Sequence, residues 1–411
     1  MRRVPSALAA AILCAAAVAA CKKGTPPHTV GLALDVGGRG DQSFNDGALR
    51  GLEAMAAGLR YTPRGYEPLP DKDYAALVPD DLRALPGGLD HLKIPAPLVL
   101  SGKAQEDYEP NLQLLVDRKV ELTVGVGFMM EPATRAVAAK NPSAKFLLID
   151  SPVLDSKGKP TELPNVRAVV FREQEGSFLA GALAGELTRT GKVGFVGGMQ
   201  LPLIKKFESG FRAGLKTVNP AAAATVLVAY TGTFDDERKG VEVGQDLYAR
   251  GCDIVFHAAG LDGLGVIKAA QRANRLVIGV DSDQSHVAPK NVLTSMVKHA
   301  DLAVYESIRD VMAGKFSGGN VVLGLAEGGV GLTPLGGDID PAITPQLKAA
   351  AMEDVGKLRA AIVAKKIVVP ATPDDVERFT PPSAASLGLR HTVAAPPAPG
   401  AAAAVAEQKK P

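Results

Sequence analysis

The sequence predicts an α/β protein built as two lobes, each with a largely parallel sheet. From Thr29 onward, short apolar runs alternate with longer amphipathic stretches, the pattern of βαβ units with right-handed crossovers. These runs make more sheet than one core comfortably holds, so two lobes are expected. Polar, glycine-containing turns follow the apolar runs in both halves, as they do where a ligand cleft forms at strand carboxyl ends.

The chain starts with Arg2-Arg3, an alanine-rich apolar stretch from Ala7 to Val18, and Ala19-Ala20-Cys21. A basic start, a short apolar core and small residues before a cleavage point make residues 1–20 a signal peptide. Cys21, first in the mature chain, can then carry lipid on its thiol and amino group. Several acyl chains (palmitate, for example) anchor stably, each buried CH₂ contributing roughly 0.8 kcal/mol. Residues 21–28 form a polar, proline-containing lipidated tether. The expected address is the cell envelope outside the cytoplasm, the periplasmic face in a Gram-negative cell. Lys22 after the cysteine weakly disfavours inner-membrane retention in such a cell.

Strands are expected at 29–35, 97–100, 120–127, 145–149, 166–171, 192–197, 225–230, 252–257, 276–281 and 291–296. Helices are expected at 47–60, 110–118, 131–140, 173–189, 203–218, 236–250 and 261–273. Residues 29–170 belong mainly to lobe 1, 171–282 mainly to lobe 2, and 283–372 supply crossover segments completing both. Residues 61–96, rich in prolines and acids, interrupt a short connection and read as a surface insertion. The Ala/Pro-rich end, 381–411, lacks the apolar variety to bury a core and is expected to be disordered.

Composition excludes several functions. Removing Arg2 and Arg3 from the 46 basic residues leaves 44 against 44 acidic ones, so the mature chain is formally neutral. No electrostatic footprint for nucleic acid follows from that balance. With Cys14 discarded and Cys21 modified, Cys252 is alone and reads as a packing thiol in an apolar strand. The six histidines lack paired metal-ligand spacing. Gly125-Val126-Gly127 lacks the third glycine of a dinucleotide fingerprint. Ser295-Met296-Val297-Lys298 has no accompanying Ser-Asp-Asn or Lys-Thr-Gly. No cofactor, metal or catalytic residue is expected.

The polar turns carry the ligand chemistry instead. Asp35-Val36-Gly37-Gly38 through Asp41-Gln42-Ser43-Phe44-Asn45 combines backbone freedom, directional hydrogen bonding at Asp35 and Asn45, and a flat apolar face at Phe44. Ser43 or Asn45 could equally be a helix cap. Phe207, Phe211 and Leu215 fall at i, i+4, i+8, so periodicity alone makes Phe207 a core residue. Further polar turns follow at Ala259-Gly260, Asp281-Ser282-Asp283-Gln284 and Ser295 to Lys298.

Taken together, these segments resemble the basic membrane protein family, the PnrA-like lipoproteins that bind nucleosides for ABC transporters. The likeness runs from about Thr29 to Thr372. It includes the Asp35–Asn45 segment, Asp107-Tyr108-Glu109-Pro110-Asn111, Gly125-Val126-Gly127-Phe128 and Phe171-Arg172-Glu173-Gln174-Glu175-Gly176-Ser177. Gly194-Phe195-Val196-Gly197-Gly198-Met199, Tyr230-Thr231-Gly232-Thr233-Phe234-Asp235-Asp236 and Gly279-Val280-Asp281 continue it in order.

The resemblance implies a type I periplasmic-binding-protein fold with a nucleoside, purine favoured, held between two Rossmann-like lobes. By residue matching, Phe44 and Phe207 would clamp the base from opposite lobes. Asp35 and Asn45 would meet its polar edges, and Asp281 and Lys298 the ribose hydroxyls, with Gly260 allowing close backbone approach. Ser43, Phe128 and Met199 complete the expected site. Where the family commonly has a base-contacting Asp after Gly-Phe/Tyr, this chain has Phe128-Met129-Met130-Glu131-Pro132. Either Glu131 substitutes or the base preference differs. The implied partners are an ABC permease and ATPase, and the chain is expected to act as a monomer. A sugar-like ligand, taken up or sensed, is the alternative on the same fold.

Overall fold

The computed structural model describes residues 29–55, 59–62, 65–68, 97–312, 314–337 and 339–390. The expected signal peptide, Cys21, the tether, most of the 61–96 insertion and the end of the tail lie outside them.

Two six-stranded sheets form the lobes. In lobe 1, β1 (Val30–Leu34), β4 (Leu98–Ser101), β5 (Leu122–Val126), β6 (Phe146–Ile149), β9 (Val166–Phe171) and β15 (Gly319–Leu323) take the order β4-β1-β5-β6-β9-β15, all parallel. In lobe 2, β10 (Val193–Gly197), β11 (Leu227–Tyr230), β12 (Ile254–Ala258), β13 (Leu276–Asp281), β14 (Val292–Lys298) and β16 (Val330–Leu332) repeat that order as β11-β10-β12-β13-β14-β16. Only β16 is antiparallel. Central strands such as β1, β5, β6 and β10 are buried along their whole length, as expected for sheets covered on both faces. Hairpins β2–β3 (Leu59–Thr62, Gly65–Pro68) and β7–β8 (Val153–Leu154, Pro160–Thr161) stand apart.

The chain crosses between lobes three times. It leaves β9 for helix α4 (Glu173–Leu187) of lobe 2. It returns after β14 to α9 (Ala300–Met312), which packs on α1 (Phe44–Met55) of lobe 1, and crosses again from β15 to β16. The crossings are tied together: Arg172 N–H donates to Leu323 O and His299 N–H to Gly329 O, both at 2.9 Å. This is the type I periplasmic-binding topology.

The remaining helices are α2 (Tyr108–Asp117), α3 (Glu131–Lys140), α5 (Pro202–Val218), α6 (Pro220–Ala223), α7 (Glu237–Ala249), α8 (Asp262–Ala273), α10 (Pro345–Val363), α11 (Pro373–Arg378) and α12 (Ala384–Leu387). Helix α1 starts three residues earlier than periodicity suggested, because Asp41 caps it. Its carboxylate accepts the N–H groups of Ser43, Asn45 and Asp46, which satisfies donors a helix start leaves orphaned. The expected disorder is corrected at residues 381–390. There α12 forms, Lys357 Nζ donates to Gly388 O at 2.7 Å, and Arg390 N–H donates to Asp354 at 2.7 Å. These bonds with Lys357 and Asp354, and Leu387 and Leu389 packing on the core, dock that stretch.

Helix α4 is almost wholly buried because small residues let α5 approach closely. A Cβ at Gly181 would overlap the carbonyl oxygen of Phe211, and one at Gly214 that of Phe178. No side-chain rotation relieves a clash with backbone, so the helices would have to move apart. Gly181→Ala and Gly214→Ala should each lower stability by about 2 kcal/mol or more in urea unfolding. Wild-type unfolding midpoints in both would contradict this packing.

Candidate ligand-binding site

The carboxyl ends of the strands of both sheets converge on one cavity enclosing about 520 Å³ of atom-free space, its mouth included. Lobe 1 contributes Asp35 after β1, Phe44 and Asn45 at the start of α1, Phe128 after β5 and Asp150 after β6. Lobe 2 contributes Ile204 and Phe207 on α5, Phe234 after β11, Gly260 after β12, Asp281 on β13 and Lys298 at the end of β14. Asp41 also lines it.

Lys298 is the electrostatic centre. Its Nζ donates to Asp150 Oδ2 at 2.7 Å across the interlobe gap and lies 3.8 Å from Asp281 Oδ1. It also sits 4.4 Å from the Phe44 ring centroid and 5.5 Å from that of Phe207, within cation–π range. Burial opposes its charge, but Asp150, Asp281 and Glu173 outweigh that and hold its pKa above the ordinary lysine value. Burial in turn raises Asp281 despite Lys298 and the Ser43 hydrogen bond.

Asp150 (φ +75°) and Asp281 (φ +63°) both have left-handed backbone, a conformation costing of order 1–3 kcal/mol outside glycine. Each leaves Oδ1 buried without a hydrogen-bond partner. Strained carboxylates with open acceptor oxygens, fixed by one ammonium, suit hydroxyl groups that both donate and accept.

Ser43 is not among the lining residues. Its Oγ donates to Asp281 Oδ2 at 2.6 Å, joining the lobes, and Ser282 Oγ returns a bond to Ser43 O at 2.9 Å. Phe207 is buried, as its periodicity predicted, and still presents a face to the cavity. Met199 is not among the lining residues. The Phe234 ring packs over Gly198, and α5 presents Ile204 and Phe207 instead. Glu131 does not line the cavity either: its Oε1 accepts from Arg135 Nε and Leu154 N–H, both at 2.9 Å.

Asp41, Asp150 and Phe234 line the cavity without having been singled out from sequence. Asp150 ends the run Phe146-Leu147-Leu148-Ile149, the same strand-end signal that marked Asp281. Phe234 meets Phe128 of the other lobe edge-on, with centroids 6.3 Å apart. Gly127 (φ +114°) is required next to Asp35, since a Cβ there would overlap Asp35 Oδ2. Cys252 is a buried free thiol pushed up to about 11 by burial, unreactive as expected for packing. Among the described residues no metal-binding cluster occurs, and no helix is long and apolar enough to cross a membrane.

Two lobes, three crossings and one cavity at facing strand ends define a ligand-binding protein of the type I periplasmic-binding class. Residues 29–373 match the family described as ABC transporter substrate-binding protein PnrA-like (Bmp), and the chain belongs to it. It is 33% identical to basic membrane protein A2 of Borrelia garinii subsp. bavariensis over 69% of this chain and 81% of that protein. It is 29% identical to the ABC transporter nucleoside-binding protein BmpA of Lactococcus lactis subsp. cremoris over 90% of this chain and 99% of that protein. Among solved structures, an ABC transporter solute-binding protein from Aeropyrum pernix K1 superposes with a TM-score of 0.68 at 26% identity, covering 90% of this chain and all of that one.

The site costs stability. Asp35 is raised to about 6 by burial, which outweighs its bonds from Asn45 and Gly37. Because the folded chain holds this proton more tightly than the unfolded one, stability falls as pH rises from about 4 to about 6, then levels off. Asp35→Asn removes that titrating group. Urea unfolding should show the variant gaining on wild type by up to about 3 kcal/mol across that window. A stability difference independent of pH would contradict the assignment.

Proposed function

We propose that this protein is a lipid-anchored receptor, acting outside the cytoplasm, that binds a nucleoside, purine favoured, between its lobes. It then delivers the nucleoside to an ABC permease and ATPase complex. The observation that carries this reading is the Lys298 ammonium beside the unpaired oxygens of Asp150 and Asp281, within 4.4 Å of the Phe44 ring centroid and 5.5 Å of that of Phe207 in the lining of one cavity. Two phenyl faces suit a base, which stacks with roughly 1–3 kcal/mol per aromatic contact. The carboxylate–ammonium cluster suits vicinal ribose hydroxyls.

Among the lining residues, Asp35, Asp41, Asp150 and Asp281 face a single cation, Lys298. That balance favours a neutral ligand over a phosphorylated one. The nucleoside-binding relative from Lactococcus lactis points the same way. Closing the lobes on the ligand excludes water and strengthens these contacts. The closed form, populated by contacts available only on closure, is the one offered to the permease. The Ala19-Ala20-Cys21 junction supports attachment through Cys21, which keeps the receptor beside its transporter.

Calorimetry of the detergent-purified full chain tests the reading. Purine nucleosides should give saturable heat, and Phe44→Ala and Phe207→Ala should each weaken binding by about 5- to 100-fold while remaining folded. Heat from sugars but from no nucleoside would replace this reading with the sugar-like alternative. In cells, Cys21→Ser should move the protein from the membrane to the soluble fraction; unchanged membrane association would remove the lipid anchor from the account.

A further inference from the structure

The mouth of the cavity lies toward the ends of the sheets farthest from the crossings. The chain passes between lobes beside β9, β14, β15 and β16, all at one end of their sheets. At the other end of lobe 2, β11 is the edge strand, and Phe234 stands in the turn that follows it. Phe128 follows β5, on the half of the lobe 1 sheet away from β15. Most lining residues are buried. The partly exposed ones are Gly37 and Phe128 of lobe 1 and Leu203, Phe234 and Gly260 of lobe 2. These five mark where the cavity meets solvent.

Across that mouth the Phe128 and Phe234 rings meet. Their centroids are 6.3 Å apart with planes at 70°, the edge-to-face arrangement that aromatic pairs prefer. Each ring is held by its own lobe. Thr233 Oγ1 and Asp236 N–H both donate to the buried Asp262 carboxylate at 2.7 Å, which fixes the turn on either side of Phe234. Leu261 N–H donates to Phe234 O at 3.0 Å, and the ring rests on Gly198, where a Cβ would overlap it. Phe128 opens the short turn Phe128–Met130, in which Met130 N–H donates to Gly127 O at 3.0 Å. With one ring fixed to each lobe, the contact separates when the lobes part.

We propose that Phe128 and Phe234 form an aromatic gate across the cleft mouth, which shuts when the lobes come together and must part before a ligand passes. The pair acts on the rate of ligand exchange rather than on the choice of ligand. The ring–ring contact favours the shut form by a factor of about 2 to 10. Because that contact needs both rings, removing one loses all of it, and removing the second loses nothing more. Two rings that each packed on the ligand by themselves would instead lose affinity separately, and their effects would multiply. Phe128 and Phe234 are positioning residues that act through lobe closure.

The test has one arm with ligand and one without, and only the first rests on the nucleoside reading. Radiolabelled adenosine is released from the detergent-purified full chain into an excess of unlabelled adenosine. Phe128→Ala and Phe234→Ala should each speed release about 2- to 10-fold, and the double variant should release no faster than the faster single one. Effects that multiply in the double variant, or wild-type rates in both single variants, overturn the gate. The second arm exploits a chain that contains no tryptophan. Phe234→Trp keeps an aromatic ring in the gate and introduces the only indole. Adding Phe128→Ala to it should red-shift the emission and strengthen quenching by acrylamide, with the far-ultraviolet circular dichroism unchanged. Unchanged emission and quenching overturn the gate whether or not a nucleoside binds. An indole that responds in a protein that binds no nucleoside leaves the gate standing and removes the nucleoside reading.

Discussion

The contact between Lys298 and Asp150 governs the arrangement of this protein. It joins the last lobe 2 strand before a crossing to the end of β6 in lobe 1, with both side chains nearly removed from solvent. A buried ion pair repays its desolvation only when geometry is good and further groups join it. Here Asp281 completes the cluster from lobe 2 and is itself tied to Ser43 of lobe 1. The lobes are thus held by groups that also line the cavity, so interlobe geometry and ligand chemistry are set by the same few side chains.

The cluster also explains why the site costs stability. Two aspartates adopt backbone that non-glycine residues avoid, several carboxylates are buried close together, and some of their oxygens lack partners. None of this improves the free protein. The unpaired oxygens are the part of this cost that hydrogen-bond donors can offset. The stabilising work is done elsewhere, in fully buried strands and in close helix contacts such as α4 against α5.

Much of the fold was legible in sequence because period and burial agree there. Strands such as β9 and β13 and helix α3 fall where alternation placed them, since their residues are apolar for the same reason they are buried. The part of the chain beyond Lys298 was harder. β15 is an edge strand with exposed Val321 and Val322, and α12 is a single turn held by Leu387 and Leu389 against the core and by bonds with Lys357 and Asp354. Within the site, Asp35 and Asp281 stand at strand ends and Phe44 and Asn45 at the start of α1, in the turns to which the sequence pointed. Phe207 could not be told from core by spacing, because it is buried and lines the cavity at once. Asp150 carried a readable strand-end signal, whereas the place of Phe234 opposite Phe128 depends on how the lobes meet, which no local pattern encodes.

The central claim is that the Lys298 cluster both joins the lobes and holds the ligand, and the most direct measurement combines nucleoside calorimetry with urea unfolding of Lys298→Met. Removing the ammonium while keeping the stem leaves Asp150 and Asp281 buried without their cation. The account predicts a loss of about 3–5 kcal/mol in stability and no measurable nucleoside heat from the fraction that remains folded. A folded Lys298→Met protein with wild-type stability and wild-type affinity would contradict it.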